Sequence, residues 1–347
     1  MKQPWIHKAK TDLAFIIGPS FFVLAIIFLF QDYITEIENK YSFYTWLFLI
    51  VFIDVAHVYA TLFKTYFVAD EFKKNKKRLL LLPTICFAIG IILFSFGSLV
   101  FWSFLAYVAV FHFIRQQYGF MRLYARNEEK TKLSVVIDNM AIYASTGYPM
   151  LYWFFSSERK FNWFVANEFF RFENAFLLQI LFWIYISILL IYVIYTIHKS
   201  IKNRFFNIPK NAIILGTALS WYFGIVYFND DLIFTLLNVV SHGIPYMALV
   251  YFREIENKPN QSSGVFSYLK SYNAIFIYVL ILMGIAFTEE FLWEVLVWKE
   301  NFSVASIDFS SWQFLIVPLL SVPQFTHYLL DGFIWKSKAQ PKVLEKL

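Results

Sequence analysis

The chain of 347 residues contains a single cysteine, Cys86, and this scarcity removes several kinds of chemistry. One cysteine cannot form an internal disulfide, and no CxxC motif is present. Thiolate ligands are too few for an iron–sulfur cluster, and a copper(I) site is disfavoured. Any metal site in this chain therefore has to use imidazole and carboxylate groups.

Charged side chains are also scarce. Only 16% of the residues are charged and 59% are hydrophobic, whereas a soluble domain carries about 25% charge. Several apolar runs exceed about 18 residues, the length that predicts membrane-spanning helices. We therefore expect an all-α, polytopic membrane helix bundle that forms a single domain over residues 1–347.

Basic residues gather in alternate loops, and this pattern sets the predicted topology. Under the positive-inside rule, the basic loops face the cytoplasm. The pattern predicts about ten membrane helices with both termini cytoplasmic, in a multi-pass protein of the bacterial inner membrane. The predicted spans are residues 12–30, 44–67, 79–97, 100–120, 133–155, 176–197, 210–228, 232–252, 273–289 and 311–334. The same rule accounts for the net charge of +6, so no nucleic-acid partner is expected.

Aromatic residues make up 22% of the chain, which suits lipid-facing walls or a pocket for a long apolar substrate.

Two outer stretches, FNWFVANEFFRFE (161–173) and EEFLWEVLVWKE (289–300), are amphipathic, and we expect both to lie flat at the interface. The second contains Glu289, Glu290 and Glu294. We interpret these as the solvated face of an interfacial helix, with a cation entrance as the alternative.

Four histidines lie inside apolar segments: His57, His112, His242 and His327. They fall on the second, fourth, eighth and tenth predicted helices, which all run from outside to inside. Each lies seven to eleven residues before a basic residue, which corresponds to about 10–17 Å along a helix. All four rings are therefore predicted to lie in one layer in the cytoplasmic half of the membrane. Titratable groups in that position indicate a functional site.

Each of these histidines has a polar residue about one helical turn away. The companions are Asp54, Thr61 and Lys64 for His57, Arg115 and Gln116 for His112, Asn238 for His242, and Asp331 for His327. They are candidates for further ligands, or for acceptors that fix the ring tautomer of a metal-bound histidine. Lys64 is expected to extend to the membrane surface. The alternative is that each histidine hydrogen-bonds between helices without a metal.

Imidazole and carboxylate ligands suit iron, zinc or manganese. Histidine-rich sites with open positions are typical of oxygen activation at non-haem iron. The site could hold one ion, or two if Asp54 and Asp331 both bind. Histidines at matched depth could also ligate haem.

Two short segments carry a family resemblance. The segment FHFIRQQYG around His112 and the segment PQFTHYLLD around His327 resemble segments of the Brp/Blh family of integral-membrane β-carotene dioxygenases. The resemblance implies a multi-helical enzyme with four iron-binding histidines on separate helices. The ligands that it implies here are His57, His112, His242 and His327. Gln116 or Gln117 stands where that family has an acid.

These observations favour a membrane-embedded, histidine-ligated metalloenzyme, a non-haem iron oxygenase or desaturase that acts on an apolar lipid or isoprenoid. The predicted metal ligands are His57, His112, His242, His327, Asp54 and Asp331, and the predicted catalytic residues are Gln116, Asn238, Tyr246 and Arg115. A lipid-like substrate and an electron donor are the expected partners. No HxxxH or HxxHH box occurs, so the chain does not look like the acyl desaturase and hydroxylase superfamily.

The alternative function is a proton- or ion-coupled transporter that uses the histidines as a relay. Against it, the chain has only 11 glycines and no matched pair of Gly/Pro-interrupted helices of the kind that transporters use. A parallel repeat, in which the eighth to tenth helices repeat the second to fourth, is a further prediction.

Overall fold

The computed structural model describes residues 2–256, 273–299 and 309–335, and the regular structure within them is entirely helical. The helices are α1 Ala9–Tyr33, α2 Lys40–Lys64, α3 Ala69–Ser95, α4 Ser98–Tyr124, α5 Lys132–Phe155, α6 Ala175–Asn203, α7 Ile208–Trp221, α8 Asp231–Glu256, α9 Ala274–Trp298, α10 Gln313–Leu320 and α11 Val322–Ile334. The predicted all-α helix bundle is confirmed for this part of the chain.

Seven helices of the described ranges are long and apolar enough to cross a membrane, namely α1, α2, α3, α4, α6, α8 and α9. They support a multi-pass membrane protein. The other three predicted spans coincide with α5, α7 and the pair α10–α11. Ten crossings and two cytoplasmic termini therefore stay predictions.

The turn between α3 and α4 depends on Gly97. Helix α3 ends at Ser95 and α4 begins at Ser98, and the φ angle of Gly97 is +120°. Glycine adopts such angles without the steric penalty that a Cβ atom brings. One long apolar run is thereby divided into two antiparallel helices, at the position that the sequence predicts.

Helix α8 is the central helix of the bundle. Its most apolar stretch is 78% buried, whereas the other six candidate spans are 11–50% buried. Gly243 allows α8 to approach α2 closely, because a Cβ atom there would lie 2.9 Å from the carbonyl oxygen of Ile53. This contact holds the backbone next to His242 against the helix that carries His57.

The first aromatic stretch, residues 161–173, is irregular rather than helical. Phe161 and Phe169 are buried, and both rings pack against Trp153 of α5. The stretch therefore covers the end of the helix bundle and contributes to its core.

The second aromatic stretch continues helix α9 as far as Trp298. Glu289, Glu290 and Glu294 are only 6%, 7% and 2% exposed. The expectation that these carboxyl groups form a solvated face is therefore wrong, because the helix turns this face towards the protein.

Candidate metal centre

The four histidines predicted to share one layer meet inside the bundle. Their helices are α2, α4, α8 and α11, and every ring is at most 2% exposed. The centroids of the rings of His57 and His242, and of His112 and His327, are 4.6 Å apart. The distances from His57 to His327 and from His112 to His242 are both 5.0 Å. The four imidazoles therefore form a compact ring of neighbours, as the matched depths predict.

Two overlapping groups in this cluster have the geometry of metal ligands. In each group the ligand atoms lie within 4.8 Å of one another. One group is His57, His112 and His242, and the other is His112, His327 and Asp331. His112 belongs to both groups, so the two groups adjoin at this ring.

Each ring has a buried nitrogen without a hydrogen-bond partner in the described residues. These atoms are Nδ1 of His57, Nε2 of His112, Nδ1 of His242 and Nε2 of His327. An unsatisfied polar atom in a protein interior costs about 1–3 kcal/mol. The Nε2 atoms of His57 and His242 are 3.1 Å apart, so these two nitrogen atoms face each other. The donor set fits a metal ion, which would bind Nε2 of His112 and of His327, both without a partner in the described residues, and the Nε2 atoms of His57 and His242, which face only each other.

Hydroxyl groups fix the tautomer of His327. Tyr246 donates its hydroxyl proton to Oδ1 of Asp331 at 2.6 Å. The hydroxyls of Tyr246 and Thr61 are 3.0 Å apart, so Thr61 must donate its only hydroxyl proton to Tyr246. The oxygen of Thr61 then accepts the Nδ1–H of His327, at 2.7 Å. This arrangement leaves Nε2 of His327 unprotonated, as a metal ligand requires.

The two predicted carboxylate ligands lie beside the rings without hydrogen-bonding to them. Oδ1 of Asp54 is 3.7 Å from Nδ1 of His57. Asp331 is 3.8 Å from Nδ1 of His112 and 3.9 Å from Nδ1 of His327. Asp54 can therefore orient the ring of His57 through Nδ1, and Asp331 can orient the rings of His112 and His327 in the same way. Asp331 also belongs to one of the two groups of candidate metal ligands.

The other predicted catalytic residues divide between the cluster and its surroundings. Tyr246 belongs to the cluster through its bonds to Thr61 and Asp331. Gln116 donates to the carbonyl oxygen of His242 at 2.8 Å, so it joins α4 to α8. Asn238 donates to the carbonyl oxygen of Phe234 within its own helix.

Arg115 points away from the cluster, although it is adjacent in sequence to residues that form it. Its side chain is exposed, donates to the hydroxyl of Tyr143 at 2.6 Å, and lies 4.5 Å above the ring of Tyr118. Lys64 does not extend freely to a surface but forms a 2.6 Å ion pair with Glu254. Neither cation therefore opposes a metal ion at the histidines.

The sequence does not indicate two of the polar contacts around the site. Gln117 donates to the carbonyl oxygen of Ser241 and accepts from Thr217, which links α4, α7 and α8. Thr61 was expected beside His57, yet its hydroxyl contacts His327 and Tyr246 on two other helices. Only the packing of the helices reveals such partners.

The chain matches no family model, no curated protein and no solved structure. The resemblance to the Brp/Blh family therefore stays a prediction, and the function has to be argued from the site.

Proposed function

We propose that this chain is a membrane-embedded metalloenzyme whose metal ion is held by His57, His112, His242 and His327. One observation supports the proposal above all. Four buried imidazoles meet. Nε2 of His112 and Nε2 of His327 have no hydrogen-bond partner in the described residues, and the Nε2 atoms of His57 and His242 contact each other. Membrane proteins place titratable side chains at such depths where function requires them.

Iron is the proposed metal, with zinc or manganese as alternatives, because the ligands are imidazole and carboxylate. Non-haem iron would supply the oxygen activation needed to oxidise, desaturate or cleave an apolar lipid or isoprenoid. Asp54 and Asp331 would orient the rings or complete the ligand set. Gln116 would fix the spacing of α4 and α8. An electron donor is the proposed partner, and a bacterial inner membrane is the proposed location.

The proposal is tested by elemental analysis of the wild-type protein, purified in detergent and loaded with Fe(II), Zn(II) or Mn(II) in turn. We expect about one or two equivalents of one metal per chain, bound tightly enough to survive gel filtration. A chain that retains none of the three would contradict the metal site. Oxygen consumption by the iron-loaded protein with membrane lipid extracts then tests the oxygenase assignment, and a haem absorption band would contradict non-haem iron.

The second candidate function is a proton-coupled transporter. The observation that favours it is the unbroken series of hydrogen bonds from His327 through Thr61 and Tyr246 to Asp331. Uptake into proteoliposomes by metal-free protein, abolished by His327→Ala, would support this candidate over the enzyme.

Replacing Thr61 with valine is expected to weaken metal binding by about 10–100-fold, the usual effect of removing an outer hydrogen bond to a ligand histidine. Valine preserves the shape of the side chain but leaves Nδ1 of His327 without its 2.7 Å partner. The measurement is a competitive titration of the metal against a chelator.

Thr65→Val is the matched control for this substitution. Thr65 is also buried, and its hydroxyl donates to the carbonyl oxygen of Thr61 without contacting a histidine. We expect the control to retain the wild-type metal affinity. Equal losses in the two variants would show that the hydroxyl of Thr61 has no specific role.

A further inference from the structure

A cavity of about 530 Å³, open on one side, lies between α9 and the α10–α11 pair. This volume is within the range of about 300–1,000 Å³ that is typical of small-molecule pockets. Most of its wall is aliphatic and comes from Ile281, Ile285, Leu292, Leu319, Leu320 and Pro323. Since the wall is formed by two apolar helical segments, a hydrocarbon chain suits this space.

The wall of the cavity carries one polar patch, formed by Tyr59, Thr288 and Glu289. The carboxylate of Glu289 accepts the hydroxyl proton of Tyr59 at 2.5 Å and a longer bond from Trp293 at 3.4 Å. No basic side chain is among the described residues that line the cavity. A ligand would therefore meet an acid on an otherwise mostly aliphatic wall.

A second buried acid follows Glu289 in α9. Glu290 is 7% exposed and forms no hydrogen bond or ion pair in the described part of the chain. A cation within about 4–6 Å of a carboxyl group favours its charged form. A positively charged group in the cavity would therefore be stabilised at Glu289.

Glu289 is joined to the helix that carries His57. Tyr59, whose hydroxyl bonds to Glu289 at 2.5 Å, follows His57 by two residues in α2. A head group held at Glu289 would therefore lie beside the helix that supplies one of the candidate metal ligands.

We propose that this cavity binds a single-chain lipid amphiphile with a protonated amine, whose hydrocarbon chain fills the aliphatic part and whose ammonium group pairs with Glu289. As a substrate site the cavity rests on the proposed function, but as an amine site it does not depend on a bound metal. Glu289 selects the charge of the head group, and the aliphatic wall selects the chain.

The test is binding of radiolabelled dodecylamine to the metal-free, detergent-purified protein, in competition with dodecanol and dodecanoic acid. These three probes share a chain length and differ in head-group charge. We expect the amine to bind at least about tenfold more tightly than the alcohol, since a buried carboxylate favours a charged partner. The acid should bind most weakly. Equal competition by the three probes would overturn the proposal.

Two substitutions locate the binding site. Glu289→Gln keeps the shape and removes the carboxyl group that an ammonium group would hold in its charged form, and it should reduce the preference for the amine over the alcohol by at least about tenfold. Gly284→Leu should weaken binding of all three probes, because Gly284 lines the cavity and a Cβ atom there meets nothing within 4 Å. Gly147→Leu is the matched control, since its Cβ also meets nothing within 4 Å and it lies on α5.

The same proteins separate this proposal from the metalloenzyme proposal. Metal binding by Gly284→Leu together with lost amine binding would support the cavity as a distinct site. Selective amine binding by a wild-type protein that takes up no metal would contradict only the metalloenzyme. Stoichiometric metal without selective amine binding would overturn only the cavity proposal, as would wild-type selectivity in Glu289→Gln.

Discussion

Replacing His242 with alanine is expected to abolish stoichiometric metal binding. His242 is fully buried, its Nε2 faces that of His57 at 3.1 Å, and its ring centroid is 5.0 Å from that of His112. Losing a metal ligand should weaken metal binding by more than the about 10–100-fold that is lost with an outer hydrogen bond to a ligand histidine. Elemental analysis after gel filtration measures the result.

His198→Ala is the control for this variant. His198 lies near the end of α6 with an exposed side chain, so its loss should leave the metal content unchanged. Helical circular dichroism of both variants establishes that the bundle is intact. A folded His242→Ala protein with the wild-type metal content would contradict the assignment of His242 as a ligand.

Replacing Lys210 with methionine is expected to lower the free energy of unfolding by about 3–5 kcal/mol, the cost of breaking a buried ion pair. The Lys210 side chain is 4% exposed, and its Nζ lies 3.0 Å from Glu128 and 3.1 Å from Asp138. Methionine has a similar length but leaves both carboxylates without this charge. Unfolding by sodium dodecyl sulfate in mixed micelles measures the change.

Lys199→Met is the matched control. Lys199 also pairs with Glu128, at 2.7 Å, but its side chain is 20% exposed. A partly solvated pair contributes about 0–1 kcal/mol, so the control should be much less destabilised. Equal losses for the two lysines would contradict a special role for the buried one.

The pH dependence of stability provides a second readout for Lys210. Burial acts to raise the pKa of Glu128, but Lys210 and hydrogen bonds from Lys199, Lys210 itself and Asn207 outweigh it and lower this pKa below its usual value. A lowered pKa means that the carboxylate contributes stability above its unfolded-state pKa and loses it as the pH falls through the folded-state pKa. The wild type should therefore lose more stability on acidification than Lys210→Met.

The sequence predicts the histidine cluster because depth along a helix can be counted in residues. His57, His112, His242 and His327 lie at matched distances from basic residues on helices of one predicted direction, and the structure brings them together. The rotation of each helix cannot be counted in this way. Arg115 is three residues from His112 and yet faces Tyr143, while Thr61 reaches His327 across the bundle.

The acids of α9 show a related difficulty. Glu289, Glu290 and Glu294 sit in an aromatic stretch whose composition suits an interface, so the sequence suggests contact with water. Their burial depends on tertiary neighbours, among them Tyr59, whose hydroxyl bonds to Glu289 from a helix 230 positions away in the chain. Composition indicates where a segment lies relative to the membrane, and packing decides what its side chains meet.

The contact between Gly243 and Ile53 determines how the candidate metal centre would respond to different ions. The two helices approach closely beside His242 and shortly before His57, because Gly243 has no Cβ atom, and this approach limits how far the two rings can move relative to each other. A site of this kind is preorganised, and an ion that requires a different ligand spacing must deform two packed helices. A nearly fixed spacing of the two rings would favour ions whose size and coordination geometry match it. Selectivity among metals would then originate in the fold as well as in the ligands.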